Sequence, residues 1–79
     1  MYNCFINKED DAMDLATIGA RLVSLRKSKG MSQLELSEKT GLDRTYLSRV
    51  EAGKQNLTID TLITICKGLN VTLKEFFDF

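Results

Sequence analysis

The sequence predicts an all-α domain built from five short helices, and three observations predict it. Apolar residues recur at three- and four-residue steps along most of the chain. A Ser, Thr or Asp suited to capping a helix stands ahead of each apolar stretch. There is no proline, no low-complexity segment and no internal repeat. The connections left between the helices run to roughly two to six residues, as in compact helical domains. At 79 residues the chain makes one small domain, which buries a modest share of its surface and leaves room for help from a partner chain.

Residues 1–13 form a mixed, partly acidic head, expected as an irregular arm or an extra turn, and residues 14–79 hold the domain. Helix 1 is predicted from Leu15 to Lys29. Asp14 is its N-cap, and the carboxylate also suits the positive end of the helix dipole. Leu15, Ile18, Leu22 and Leu25 form its apolar stripe, Lys27 and Lys29 suit its last turn, and Gly30 follows it. "SQLE", residues 32–35, is a capping box that opens helix 2, which buries Leu34 and Leu36 or a subset of them and ends near Thr40-Gly41. A helix so short depends on tertiary packing. Helix 3 follows Asp43 and ends near Glu51 or Ala52, before Gly53. Helix 4 follows Thr58 and covers Ile59 to Leu69. Leu62, Ile63 and Cys66 make its apolar face, which Ile59 and Leu69 extend, and Asn70 supplies a left-handed end. "TLKE", residues 72–75, is a second capping box, and the short helix 5 it opens ends in "FFDF".

Charge and composition narrow the function. The formal net charge is zero, but it sums unlike parts. Residues 21–54 carry eight cations (Arg21, Arg26, Lys27, Lys29, Lys39, Arg44, Arg49 and Lys54) against four carboxylates (Glu35, Glu38, Asp43 and Glu51), a local +4. The head carries Glu9, Asp10, Asp11 and Asp14 against Lys8. A local basic surface can steer an anion although the total is neutral. The chain has no histidine, which excludes a Cys/His zinc site and histidine-based catalysis. With no glycine-rich phosphate loop and no carboxylate pair in an obvious cavity, no enzyme, metal, cofactor or small-molecule ligand is expected. A bridge between Cys4 and Cys66 is one alternative, but both are expected as reduced thiols, Cys66 packed as a small hydrophobe. No apolar run approaches the ~18 residues of a membrane span. The first residues lack the pattern of a secretory signal, so a cytoplasmic protein is expected.

The stretch "RTYLSRVEA", residues 44–52, carries the chemistry. On a helix, Arg44, Ser48, Thr45 and Arg49 fall within roughly 140° of one another, and Tyr46, Val50 and Leu47 fall on the other side at roughly 200–300°. One arc is all donors and hydroxyls, and the other packs. By itself the polar arc would equally suit a solvated helix face. It follows helix 2, however, through the glycine-containing turn "TGLD", the connection of a helix-turn-helix, with Leu42 placed to pack into the angle. In that motif the second helix enters the DNA major groove. Arginine there can make bidentate contact to guanine, and threonine can touch a thymine methyl or a phosphate.

Residues 15–79 resemble the lambdoid repressor/Cro family of helix-turn-helix regulators. The residues carrying the resemblance are "SQLELSEKTG", "YLSRVEAGK", the hydrophobic helix after them, "LNV" and the closing aromatics. Within it, "LDRTYLSRVE", "QNLTIDTL", the terminal "FF" and the chain length are similar to the small controller proteins of restriction–modification systems. The resemblance implies a compact five-helix lambda-repressor-like DNA-binding domain, with helices 2 and 3 as the helix-turn-helix. It implies a sequence-specific transcription regulator, repressor or activator, that binds double-stranded DNA as a homodimer and controls a restriction–modification operon. Arg44, Thr45, Ser48 and Arg49 match base-reading or groove-lining positions. Gln33 matches a position that touches the DNA backbone and orders the recognition helix. Ser32 beside it is either a phosphate contact or an N-cap alone. Tyr46 is either a phosphate contact or a partly buried aromatic. Lys54, Gln55 and Asn56 match a loop that grips phosphate. Arg26 and Glu51 match an ion pair between helices 1 and 3, while Lys27, Lys29 and Lys39 add to the long-range field.

The chain closes on three phenylalanines, Phe76, Phe77 and Phe79. One can cap the core, but three are too many for the end of so small a domain to hide, and an exposed apolar patch marks an interface, so all three are expected at a dimer interface; the alternative is that Phe76 and one neighbour are core and Phe79 is frayed. In the family the last helix helps form a two-fold homodimer, which fits a near-palindromic site. The alternatives are another phage or bacterial repressor, or an antitoxin-type module that buries a partner protein.

Overall fold

The computed structural model describes residues 14–79, so the expectation of an N-terminal arm at 1–13 lies outside the described residues. Five helices follow in order: α1 Leu15–Ser28, α2 Gln33–Thr40, α3 Arg44–Glu51, α4 Ile59–Leu69 and α5 Leu73–Phe76. Each start is capped by the side chain of the preceding residue, namely Asp14, Ser32, Asp43, Thr58 and Thr72. Both capping boxes form. In α2 the Ser32 hydroxyl accepts from the Glu35 amide at 3.0 Å, and the Ser32 amide donates to Glu35 Oε1 at 2.9 Å. Thr72 and Glu75 repeat the exchange at the start of α5. Each cap satisfies amides that the helix itself leaves without partners.

The helices pack α1 on α3, α2 on both α3 and α4, and α5 on α1 and α4. The core they enclose is Leu22, Leu36, Leu47, Val50, Leu62, Ile65, Cys66, Leu69 and Phe76. On α2 only Leu36 is buried; Leu34 is half exposed (50%) because two residues turn a helix by about 200°. On α4 Leu62, Cys66 and Leu69 are buried as expected, and the isoleucines are corrected. Ile65 is fully buried and Ile63 only partly so, while Ile59 is exposed. Leu62, Ile65, Cys66 and Leu69 keep the i, i+3, i+4, i+7 spacing of one helix face, and Ile59 and Ile63 lie beyond one edge of it.

Gly19 is buried where α1 crosses α3. A Cβ placed there would lie 2.6 Å from the Glu51 carbonyl oxygen and closer still to that of Val50. The two helix backbones therefore approach at a distance only glycine allows. At the other end of α4, Asn70 takes the left-handed conformation with φ 61°, and the Val71 amide closes onto the Cys66 carbonyl at 3.0 Å.

Candidate nucleic-acid interface

The turn between α2 and α3 is built from "TGL". Gly41 sits at φ 77°, in the left-handed region that a β-carbon disfavours. The Thr40 hydroxyl donates back to the Leu36 carbonyl at 2.8 Å and accepts from the Leu42 amide at 3.2 Å. The Ser37 hydroxyl donates to the Leu42 carbonyl. Leu42 packs against the core from inside the angle. These bonds satisfy the turn's own polar groups and set the direction in which α3 leaves.

On α3, Asp43 accepts from the amides of Thr45 and Tyr46. Leu47 and Val50 are buried, and Arg44, Thr45, Ser48 and Arg49 are exposed. Arg44, Thr45 and Ser48 line a shallow open cleft of about 300 Å³, and Gln33 at the start of α2 closes its far wall. Arg49 is exposed a turn beyond Thr45 and lies outside that cleft. Tyr46 is partly buried and packs against the core. The Ser32 hydroxyl accepts in the capping box described above, a role that leaves its O–H able to donate.

A polar network braces this face. Arg26 on α1 donates from Nε to Glu51 Oε2 at 2.7 Å and from Nη2 to Glu51 Oε1 at 3.0 Å. Its Nη1 donates to the Met31 carbonyl at 2.8 Å. Gln33 Nε2 donates to the same Glu51 Oε1 at 2.9 Å. The side chains of Arg26 and Glu51 keep only 11% and 7% of their exposure. A pair so far removed from water is held by its bidentate geometry and by the extra bonds at both ends. Hydrogen bonding to Glu51 raises the Arg26 pKa above its already high ordinary value, against the opposing effect of burial. Glu51 therefore does two things. It ties the end of α3 to α1, and it orients the Gln33 amide, whose second Nε2 hydrogen and Oε1 take no part in that bond. The link from Gln33 to Glu51 joins residues on two helices, 18 positions apart in the chain, so local sequence patterns do not display it.

After α3, the Lys54 amide donates to the Arg49 carbonyl at 2.9 Å, which folds the loop back against the helix end. Lys54 and Asn56 are exposed and Gln55 is half-buried, its Nε2 donating to the Asn56 carbonyl at 3.2 Å. Across the domain, the closing phenylalanines divide. Phe76 is fully buried (0%), so it belongs to the core and is unavailable as an interface residue, a correction to the expectation for all three. Phe77 is half-buried, its ring edge-on to Phe76 at 5.2 Å, and Phe79 is 57% exposed. Leu73, Lys74, Phe77 and Asp78 line an open groove of about 570 Å³ beside it.

Sequence reasoning missed two residues here. Gly19 carried no signal beyond being a glycine inside a predicted helix. Arg21 was counted only as positive charge, yet it bonds the carbonyls of Glu75 and Phe76. Among the described residues no helix is long and apolar enough to cross a membrane, and no group of three or more Cys, Asp or Glu side chains is placed to hold a metal ion.

A capped helix packed at an angle on a second, with a polar arc of arginines and hydroxyls turned outward, defines the helix-turn-helix class. The chain belongs to that family: the helix-turn-helix family model matches residues 22–76. Within the family it is similar to the control protein C.MunI of Mycoplasma sp., 43% identical over 75% of this chain and 81% of the relative. The control protein C.SmaI of Serratia marcescens is 42% identical over 80% of this chain and 76% of its own length. Among solved structures, the restriction–modification controller protein C.Esp1396I, a tetramer in complex with its natural 35 base-pair operator, superposes with a TM-score of 0.78. It is 42% identical and covers 81% of this chain and 84% of its own.

Proposed function

We propose that this protein is a sequence-specific double-stranded DNA-binding transcription regulator, acting as a homodimer on a near-palindromic operator and controlling a restriction–modification operon. The observation that carries the reading is the exposed arc of Arg44, Thr45, Ser48 and Arg49 on an α3 anchored by buried Leu47 and Val50. The similarity to control proteins supplies the class of operon.

Arg44 and Arg49 each carry the planar fork that matches guanine O6 and N7 in the major groove, and Thr45 and Ser48 offer a methyl and hydroxyls beside them. Gln33, held by Glu51, turns its remaining amide hydrogen toward a phosphate. Lys54, Gln55 and Asn56 meet the backbone on the far side of the helix. Tyr46 packs first and serves phosphate only through its hydroxyl. Phe77 and Phe79 with the groove beside them are the dimer surface, which sets two α3 helices about 34 Å apart, one turn of DNA. The site of action is the cytoplasm, where the DNA is.

The test begins by selecting bound duplexes from a random pool and titrating the selected site in mobility-shift assays. Arg44→Ala and Arg49→Ala should each relax discrimination at one base pair by about 1–3 kcal/mol. Lys54→Ala should weaken all sequences alike and lower the salt slope by roughly one unit. Wild-type discrimination in both arginine variants would remove them from the reading surface.

A further inference from the structure

We infer that Arg21 is a positioning residue for self-association: it fastens the C-terminal turn to α1 and so presets the Phe77–Phe79 surface. The inference rests on the dimer reading above and adds to it a residue that acts through Phe79 and the end of α5.

α5 has four residues, too few to persist by itself. The end of any helix leaves carbonyls without partners inside the helix. Here Arg21 Nε donates to the Phe76 carbonyl and Nη2 to the Glu75 carbonyl, both at 2.7 Å. A fork of two parallel donors on consecutive carbonyls fixes direction as well as distance, and a cation at a helix C-terminus also suits the dipole. The same guanidinium lies over the Phe79 ring, its central carbon 5.2 Å from the centroid. That is cation–π range, and the ring is held there although it is more than half exposed. One side chain thus holds both the end of α5 and the aromatic beyond it.

The core does not require this. Phe76 is buried by its own ring, and the Thr72–Glu75 capping box holds the other end of α5. Water can replace Arg21 at the partly exposed carbonyls. What water cannot do is hold Phe79 in one place. An interface whose side chains must first be ordered loses affinity, and a preformed one does not. α1 is itself docked on α3 through Gly19 and Arg26, so Arg21 ties the association surface to the same rigid unit that carries the recognition helix.

The test compares full-length Arg21→Met, Arg21→Lys, Phe77→Ala and Phe79→Ala by sedimentation equilibrium. In parallel, proton NMR follows the Arg21 side-chain shifts, which the Phe79 ring current moves upfield. Arg21→Met keeps the aliphatic length and removes donors and charge. Its dimer dissociation constant should rise about tenfold, the factor that one or two newly mobile interface side chains bring. Helix content and the amide shifts of α1–α4 should stay as in wild type. Arg21→Lys, with its charge and a single bonding point, should recover part of the loss. A dissociation constant for Arg21→Met within twofold of wild type, while Phe79→Ala weakens association, overturns the role of Arg21 and leaves the dimer surface standing. Association untouched by Phe77→Ala and Phe79→Ala overturns the dimer reading and the inference with it. An Arg21→Met chain that fails to fold overturns it too, since Arg21 would then be a core fastener; Arg21→Lys folding with wild-type affinity would do the same for the bidentate fork.

Discussion

Gly19→Ala is the substitution that most directly probes how the recognition helix is held. The new methyl group would sit 2.6 Å from the Glu51 carbonyl oxygen, closer to that of Val50, and 3.0 Å from the Glu51 carbonyl carbon. These are backbone atoms of α3 and cannot swing aside. α1 and α3 must separate by about 1 Å to restore ordinary contact. Leu22, Leu47 and Val50 are the buried side chains on those two helices. Each makes on the order of 40 atom contacts of about 0.1 kcal/mol, roughly half of them across this seam, and such a gap forfeits about a quarter of each. That is about 0.5 kcal/mol per side chain and about 1.5 kcal/mol for the three. Residual overlap and tilted rotamers add about 1–2 kcal/mol. Alanine's better helix propensity offsets about 1 kcal/mol. The net destabilisation is about 2 kcal/mol, a sizeable part of the total for a domain of this length, which is on the order of 4–12 kcal/mol. Urea unfolding followed by circular dichroism, at one fixed protein concentration, should show the midpoint fall by roughly 1–2 M. Ser24→Ala, exposed on the same helix, is the control and should be neutral or slightly stabilising. A Gly19→Ala protein as stable as wild type would refute the close crossing of α1 and α3.

Glu51→Ala should destabilise by about 2–4 kcal/mol, because it strands the largely buried Arg26 guanidinium, with most of the loss recovered in an Arg26→Met, Glu51→Met double variant; unfolding titrations of the three proteins check this. The same single variant frees Gln33 and should weaken operator binding beyond its effect on stability, read by titration at a temperature where the fold is intact. The Asp14 carboxylate, accepting from the Thr17 amide, and that of Glu75, accepting from the Thr72 amide, are both held below the ordinary carboxylate range. Folding therefore favours their charged forms. That stability is present above the unfolded carboxylate pKa and is lost as pH falls through the lower folded value. Unfolding midpoints should drop in acid below the ordinary carboxylate range. Asp14→Asn, which keeps a capping oxygen without titrating, should flatten its share of the slope.

Much of this molecule is legible in local chemistry. Asp14, Ser32, Asp43, Thr58 and Thr72 mark the helix starts because an N-cap acts within three residues of itself, and the chain order displays that directly. The outward arc of α3 is legible for the same reason, since 100° per residue holds in any helix. On α4 the expectation holds at Leu62, Cys66 and Leu69 and differs at the isoleucines, which are chemically alike: Ile65, three residues after Leu62, completes the buried face, and Ile59 and Ile63 fall beside it. The three phenylalanines were likewise indistinguishable until the fold placed Phe76 inside and Phe79 over Arg21.

The sequence by itself determined five capped helices, a glycine turn, and a face of two arginines and two hydroxyls, because each of those depends on neighbours a few residues apart. Only the tertiary structure decided that Gly19 is the point of closest approach to α3, that Glu51 holds both Arg26 and Gln33, and that Arg21 reaches residues 54 and 55 positions away. These are contacts between helices, and their energy depends on distances that chain order does not contain.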